Sequence, residues 1–206
     1  MKPNKIVGVG WNYRSHLGET HAQLPTEPIV FLKPTSAIIG DGDPIRIPAG
    51  VGRVDHEVEL AVILGKKARG VSMDEALSHV SHLAVANDVT ARDMQNKARD
   101  TGNPWAMAKG MDTFAPLSDP VPLDSVDDLQ DLRLELKVNG VLRQKGRTSL
   151  MIFPVAELIT HISRFMTLEA GDIIMTGTPE GIGPLLPGDE VVAKIDGVGT
   201  LRNPVV

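Results

Sequence analysis

The chain has 206 residues, a formal net charge of -5 and no cysteine. Its length suits one domain whose core needs no disulfides, and its acidic balance argues against a surface built to track nucleic acid or an anionic membrane. The missing thiols exclude a disulfide framework, a thiol nucleophile and any zinc or iron-sulfur site made with thiolates, so a metal here would be held by oxygen or imidazole.

The first sixteen residues, "MKPNKIVGVGWNYRSH", lack the apolar core of a signal peptide, and no apolar run approaches the roughly 20 residues of a membrane span. The expected address is the cytoplasm and the expected partner a small molecule. Frequent Gly and Pro punctuate the chain into short elements, as a β-rich fold with tight turns requires. Strand candidates come first: "KIVGVG", "PIVFLKP", "AIIG" and "PIRIP". The "GVG" at Gly8 to Gly10 is no dinucleotide fingerprint, since Tyr13 stands where the third Gly would be. In "YRSHLGET", His16 and Glu19 are three apart, so a helical turn puts them on one face. A carboxylate can orient the imidazole and raise its basicity, which makes a general base; the bland alternative is a polar surface turn.

The stretch "VDHEVELAVILG" reads as one strand from Val54, with Glu57 and Glu59 on one face and Val58, Leu60 and Val62 on the other. A helix is expected from Ser72, with Glu75 three residues on as a capping box. "HLAVANDVTARDMQ" is a buried strand running into a polar turn or short helix, with Asp88 at the strand's end. "LRLELKVNGVLRQKG" is a hairpin with one wet face, turned by its Asn-Gly. In "PVAELITHISRFM", Val155, Leu158, Ile159, Ile162, Phe165 and Met166 fall at helical spacing behind Pro154. The tail reads as strand, Gly-rich loop, strand, turn and strand.

Glu57 and Glu59 would be a wet sheet edge were it not for the apolar continuation of their strand. Charges bordering buried strands are costly unless compensated, and Asp88 adds a third carboxylate. Three such groups suit a hard cation such as Mg²⁺, Mn²⁺ or Ca²⁺.

These motifs together resemble the fumarylacetoacetate hydrolase family: "HEVEL" and "ANDVTARDMQ", with "GVGWNYRSH", "FLKPTSAI", "WAMAKGMDTFAPL", "MTGTPEGIG" and "GTLRNPV" in order over nearly the whole chain. The resemblance implies an α+β, β-rich fold, a mixed β-roll with a few short helices. One catalytic domain would span 1–206, with an N-terminal segment, 1–50, integral to it, in a commonly homodimeric protein. It implies Glu57, Glu59 and Asp88 as ligands of Mg²⁺ or Mn²⁺, with Ca²⁺ possible in crystals. His16 and Glu19 become a catalytic pair on a segment that orders over substrate. Lys109, otherwise a default surface lysine, would face the active site. Arg92 and Gln95, otherwise a solvated helix face, would bind a carboxylate or oxyanion. Thr178, in a Gly-rich loop suited to cradling a carboxylate, and Lys33 would also serve the substrate.

The implied activity is a divalent-metal-dependent hydrolase that cleaves the C-C bond of acylpyruvates or related 2,4-dioxo acids to pyruvate and a carboxylic acid. Oxaloacetate decarboxylation and 2-hydroxymuconate-type isomerisation or tautomerisation are alternatives at the same site. A different class of reading is a non-catalytic protein in which the metal only staples a β-rich fold.

Overall fold

In the computed structural model, which describes residues 3–20 and 23–206, short apolar runs between Gly and Pro become strands. Strand β1 (Ile6–Gly10) leads into helix α1 (Arg14–Thr20), and the chain returns as β2 (Ile29–Lys33), antiparallel to β1. "AIIG" contributes a two-residue strand, β3 (Ile38–Ile39). "PIRIP" is not a strand: Ile45 makes an isolated bridge to Val205, and Pro44 and Pro48 on either side have no amide to extend the ladder.

The single strand expected from Val54 is also corrected. It breaks at Glu57 into β4 (Val54–His56) and β5 (Val58–Leu64), because the chain changes partners there: β4 belongs to a three-stranded sheet and β5 to a six-stranded one. The capping box at Ser72 and Glu75 is present, but the helix it starts, α2 (Met73–Ala76), is one turn long and passes into a 3-10 turn. There follow β6 (Val80–Asn87), β7 (Thr90–Ala91), α3 (Arg92–Asp100), α4 (Ala106–Lys109), β8 (Ala115–Pro116) and β9 (Val121–Pro122).

The hairpin of β10 (Arg133–Val138) and β11 (Val141–Arg147) turns on Asn139 and Gly140, with φ of 51° and 77°, the pair of left-handed residues that matches strand twist. Helix α5 (Val155–Phe165) buries Val155, Leu158, Ile159 and Ile162 as its spacing predicts. Phe165 is instead 67% exposed: it lies at the edge of the apolar stripe on the last helical residue, and Met166 is already extended. The chain ends through β12 (Ile173–Met175), β13 (Gly183–Pro184), β14 (Glu190–Ile195) and β15 (Gly199–Pro204).

Among the described residues the main sheet has the order β2-β1-β12-β5-β6-β9, beside sheets β11-β10-β14-β15, β13-β4-β7 and β3-β8. The main sheet is mixed, with β1 and β12 parallel and β5 antiparallel to both β12 and β6. The protein is thus α+β, strand-rich and carries a few short helices, as expected. Register then fixes one special end. Val58 pairs with Asn87 and Ala61 with Met175, so the start of β5, the end of β6 and the exits of β1 and β12 all emerge together. The site lies there.

Candidate metal centre

Pairing of β5 with β6 sets Glu57 opposite Asp88, whose amide donates to the Glu57 carbonyl at 2.8 Å. Glu59, two residues into β5, turns to the same space, and oxygens of Glu57, Glu59 and Asp88 lie within 4.8 Å of one another. All three are buried. Three carboxylates confined in this way repel one another strongly unless cations balance them.

The protein supplies cations to two of the three. Lys109, from the last position of α4, donates to Glu57 at 2.9 Å and also to Asp88. Lys33, at the end of β2 and fully enclosed, donates to Asp88 at 2.5 Å and to the Val89 carbonyl at 3.3 Å. Arg92, the first residue of α3, reaches Glu57, Asp55 at 2.8 Å and Gln95 at 2.5 Å. Burial alone would raise the Glu57 carboxyl, but the Lys109 and Arg92 charges outweigh it and hold the group below the usual carboxylate range. Burial likewise opposes the Lys109 charge, and Asp88 and Glu57 overcome it, so this lysine stays protonated. Lys33 goes the other way: desolvation pushes it below its ordinary value despite Asp88.

Glu59 has no ion pair among the described residues; it accepts from the Gly177 amide at 2.7 Å. Burial, then the neighbouring Asp88 and Glu57 charges, push its carboxyl well above the usual range. The carboxyl group that the fold leaves without a counter-charge is therefore the one that, with Glu57 and Asp88, completes a hard oxygen donor set. That donor set fits a divalent cation such as Mg²⁺ or Mn²⁺ and does not suit a thiophilic one.

The Gly177 contact depends on glycine. Its φ is +96°, and a Cβ there would stand 2.7 Å from Cβ of Asn12. Gly177→Ala is expected to cost about 1–3 kcal/mol through that strain and to weaken metal binding by withdrawing the amide from Glu59. Denaturant melts and a metal titration measure both.

Aromatic walls enclose the centre. Trp11 has φ of 55°, a costly conformation for a bulky residue, and its neighbour Asn12 pins it. The Asn12 amide donates to the carbonyls of Phe153 at 3.1 Å and Thr176 at 2.8 Å, while its oxygen accepts from the Phe153 amide at 2.8 Å. Trp11 thereby meets Trp105 edge-on at 5.1 Å, Trp105 meets Phe31 at 5.8 Å, and the Lys109 ammonium sits 4.9 Å from the Phe31 ring centre.

His16 and Glu19 both lie on α1, with Nδ1 to Oε2 at 3.1 Å. A carboxylate has no proton to give, so Nδ1 carries the hydrogen and the basic lone pair is on Nε2. Glu19 also accepts from the Gly181 amide at 3.2 Å, which ties α1 to the "TGTPEGIG" loop. A small cavity of about 20 Å³, room for one ion or water, is lined by His16, Glu57, Glu59, Arg92, Lys109 and Thr178, among others.

The sequence-derived residues thus come together, with two differences in emphasis. Lys33 contacts Asp88 from behind rather than lining this cavity. The Thr178 hydroxyl is already engaged, donating to the Val58 carbonyl and accepting from Gln144, each at 2.8 Å. Sequence reasoning passed over several neighbours. Asp55 is one, although it stands two residues before Glu57. Gln144 is another, its oxygen accepting from His56 and from the Val58 amide at 3.0 Å each. No local pattern marks Gln144, which reaches the centre from β11 of another sheet.

Residues 5–206 match the family model of the fumarylacetoacetate (FAA) hydrolase C-terminal region. The bovine mitochondrial oxaloacetate tautomerase FAHD1 is 45% identical over 197 residues, covering 96% of this chain and 89% of that protein. The structure of 5-carboxymethyl-2-hydroxymuconate delta-isomerase from Mycobacterium smegmatis superposes with a TM-score of 0.90 at 42% identity, covering 100% of this chain and 80% of that one. That of fumarylpyruvate hydrolase from Pseudomonas aeruginosa in complex with Mn²⁺ and pyruvate gives a TM-score of 0.94 at 33% identity, covering 98% and 89%.

Proposed function

Since the chain belongs to the fumarylacetoacetate hydrolase C-terminal family, we propose that it is a divalent-metal-dependent enzyme of small 2-oxo acids, hydrolysing the C3-C4 bond of acylpyruvates to pyruvate and a carboxylic acid. The observation that carries this reading is the His16-Glu19 pair beside the carboxylate triad, because a carboxylate-oriented histidine can activate the water that C-C hydrolysis consumes, whereas decarboxylation consumes none. The solved fumarylpyruvate hydrolase relative, in complex with Mn²⁺ and pyruvate, supports it.

Glu57, Glu59 and Asp88 would hold the cation, which supplies Lewis-acid stabilisation of negative charge on the oxygens of a bound 2-oxo acid. His16 Nε2 takes a proton from water as its oxygen attacks the C4 carbonyl, and Glu19 stabilises the imidazolium that results. The C3-C4 bond breaks, the acyl group leaves as the carboxylic acid and the electron pair stays on the pyruvyl fragment. Lys109, kept protonated by Asp88 and Glu57, stabilises that charge, and return to C3 of the proton that His16 took from water completes pyruvate. Trp11 and Trp105 stand among the walls of the small cavity at the triad.

A second reading is oxaloacetate tautomerisation, favoured by the 45% identity to the bovine enzyme of that name. It moves a proton at C3 and breaks no C-C bond. A panel of acetylpyruvate, fumarylpyruvate, oxaloacetate and a hydroxymuconate, assayed with Mg²⁺ and with Mn²⁺ by product identification, decides between them. The expected result is pyruvate plus an equimolar carboxylic acid from an acylpyruvate, with kcat/KM at least about tenfold above any reaction of oxaloacetate, a gap of about 1.4 kcal/mol in transition-state stabilisation. Rapid enol-keto exchange of oxaloacetate with intact acylpyruvates would replace the hydrolase reading by the second.

A further inference from the structure

Helix α3 turns a polar stripe toward the cleft. Arg92, Gln95, Asn96 and Arg99 are spaced i, i+3, i+4 and i+7, the spacing at which a helix ordinarily buries apolar residues. All four instead line an outer chamber of about 350 Å³, together with Trp11, Trp105 and Ile182 and with the carboxylates of Glu19, which is hydrogen-bonded to His16, and Asp55, which is paired with Arg53 and Arg92. Arg92, Gln95, Trp11 and Trp105 also line the small inner cavity at the carboxylate triad. One helix face therefore runs from the metal end into a chamber large enough for the rest of a small substrate.

The charges along that face are unequally engaged. Arg92, at the inner end, is committed to Asp55, Glu57 and Gln95. Arg53, also a wall of the chamber, is held by Asp55 at 2.6 Å. Arg99 lies two helical turns beyond Arg92, a rise of about 10 Å. It is paired with its chain neighbour Asp100 at 3.4 Å, and the two side chains are 42% and 68% exposed. An exposed pair of that length competes weakly for the guanidinium, which is left available to an anion in the chamber. The indole faces and Ile182 offer apolar walls for a carbon chain on the way to it.

We propose that Arg99, with Asn96 beside it, is the specificity determinant for a second, distal carboxylate, so that the enzyme prefers extended 2-oxo diacids of six or seven carbons over 2-oxo acids ending in a methyl group. This rests on the reading that a 2-oxo acid binds by its keto-acid end at the triad. An extended chain of that length, together with the flexible arginine stem, covers the rise along α3. The four-carbon oxaloacetate would end its reach at Arg92 and Gln95.

The test is calorimetric titration in Mg²⁺ of 2-oxoadipate and 2-oxohexanoate, six-carbon 2-oxo acids that differ by a terminal carboxylate against a methyl. The wild type is expected to bind 2-oxoadipate at least about tenfold more tightly. Arg99→Ala should bring the two to within twofold by weakening 2-oxoadipate alone, and Arg99→Lys should fall between. Equal wild-type affinity for the two ligands, or equal weakening of both by Arg99→Ala, overturns the inference and leaves the 2-oxo acid reading standing. Absence of binding by both ligands and by pyruvate removes the premise, and the inference falls with it. Arg99 is exposed, so the variants should fold, and their melting temperatures check this.

Discussion

Glu59→Gln is expected to leave the metal-free protein as stable as the wild type or more so, while abolishing the rise in melting temperature on adding Mg²⁺ or Mn²⁺. Asp88→Asn is expected to lose both. The contrast follows from how the fold distributes its cations. Asp88 accepts from Lys109 and from Lys33 at 2.5 Å, all three buried. Removing its charge takes from the buried Lys33 its carboxylate partner and leaves Lys109 with Glu57 alone, and breaking a buried pair in this way costs about 3–5 kcal/mol, or roughly 10 °C for a chain of this size. Glu59 has no ion pair among the described residues, and burial with two like charges nearby disfavours its ionised form. Glutamine there keeps an oxygen for the Gly177 amide and presents its amide hydrogens to the Glu57 and Asp88 oxygens, so the repulsion is relieved. The wild type should gain about 2.7 kcal/mol at a metal concentration of 100 Kd, and Glu59→Gln none. Thermal melts with and without metal measure all of this. A metal-free Glu59→Gln protein that melts as low as Asp88→Asn would show that the triad is not unbalanced at Glu59.

Much of this site was legible because it rests on short-range rules. Two glutamates at strand spacing, an aspartate closing another apolar strand and a histidine three residues from a glutamate are visible in a linear string. Their convergence required register, namely Val58 opposite Asn87, which no local pattern states. The strand over "VDHEVELAVILG" breaks at one residue that the pattern does not mark, for the same reason. Periodicity cannot report that β4 and β5 belong to different sheets, and the break falls at Glu57, where it aims the carboxylate. The helical spacing that includes Phe165 predicts burial correctly for four residues of α5 and fails where the helix ends. Of the polar face of α3, Arg92 and Gln95 are legible beside the Asp88 motif, whereas Asn96 and Arg99 acquire meaning only from the chamber they line.

His16→Ala is expected to lower kcat for acylpyruvate hydrolysis about 10²–10⁴-fold and to reduce the loss of CO₂ from oxaloacetate far less. Decarboxylation leaves its electron pair on C3 without consuming water, so it needs Lys109 and the carboxylate triad but not a base on α1. Glu19→Gln should give a smaller hydrolytic loss in the same direction. Its one amide oxygen can replace only one of the two carboxylate oxygens that now accept from His16 Nδ1 at 3.1 Å and from the Gly181 amide at 3.2 Å, and it no longer stabilises the imidazolium. Comparing the two reactions in one variant separates the roles. If both fall equally, His16 shapes the site rather than activating water, for a displaced α1 would disturb every substrate. If His16→Ala hydrolyses acetylpyruvate as fast as the wild type while chelation unfolds the chain, the carboxylates hold a staple and the catalytic reading is wrong. The first pattern, hydrolysis lost and decarboxylation kept, is what a base held on Nε2 by a carboxylate at Nδ1 requires.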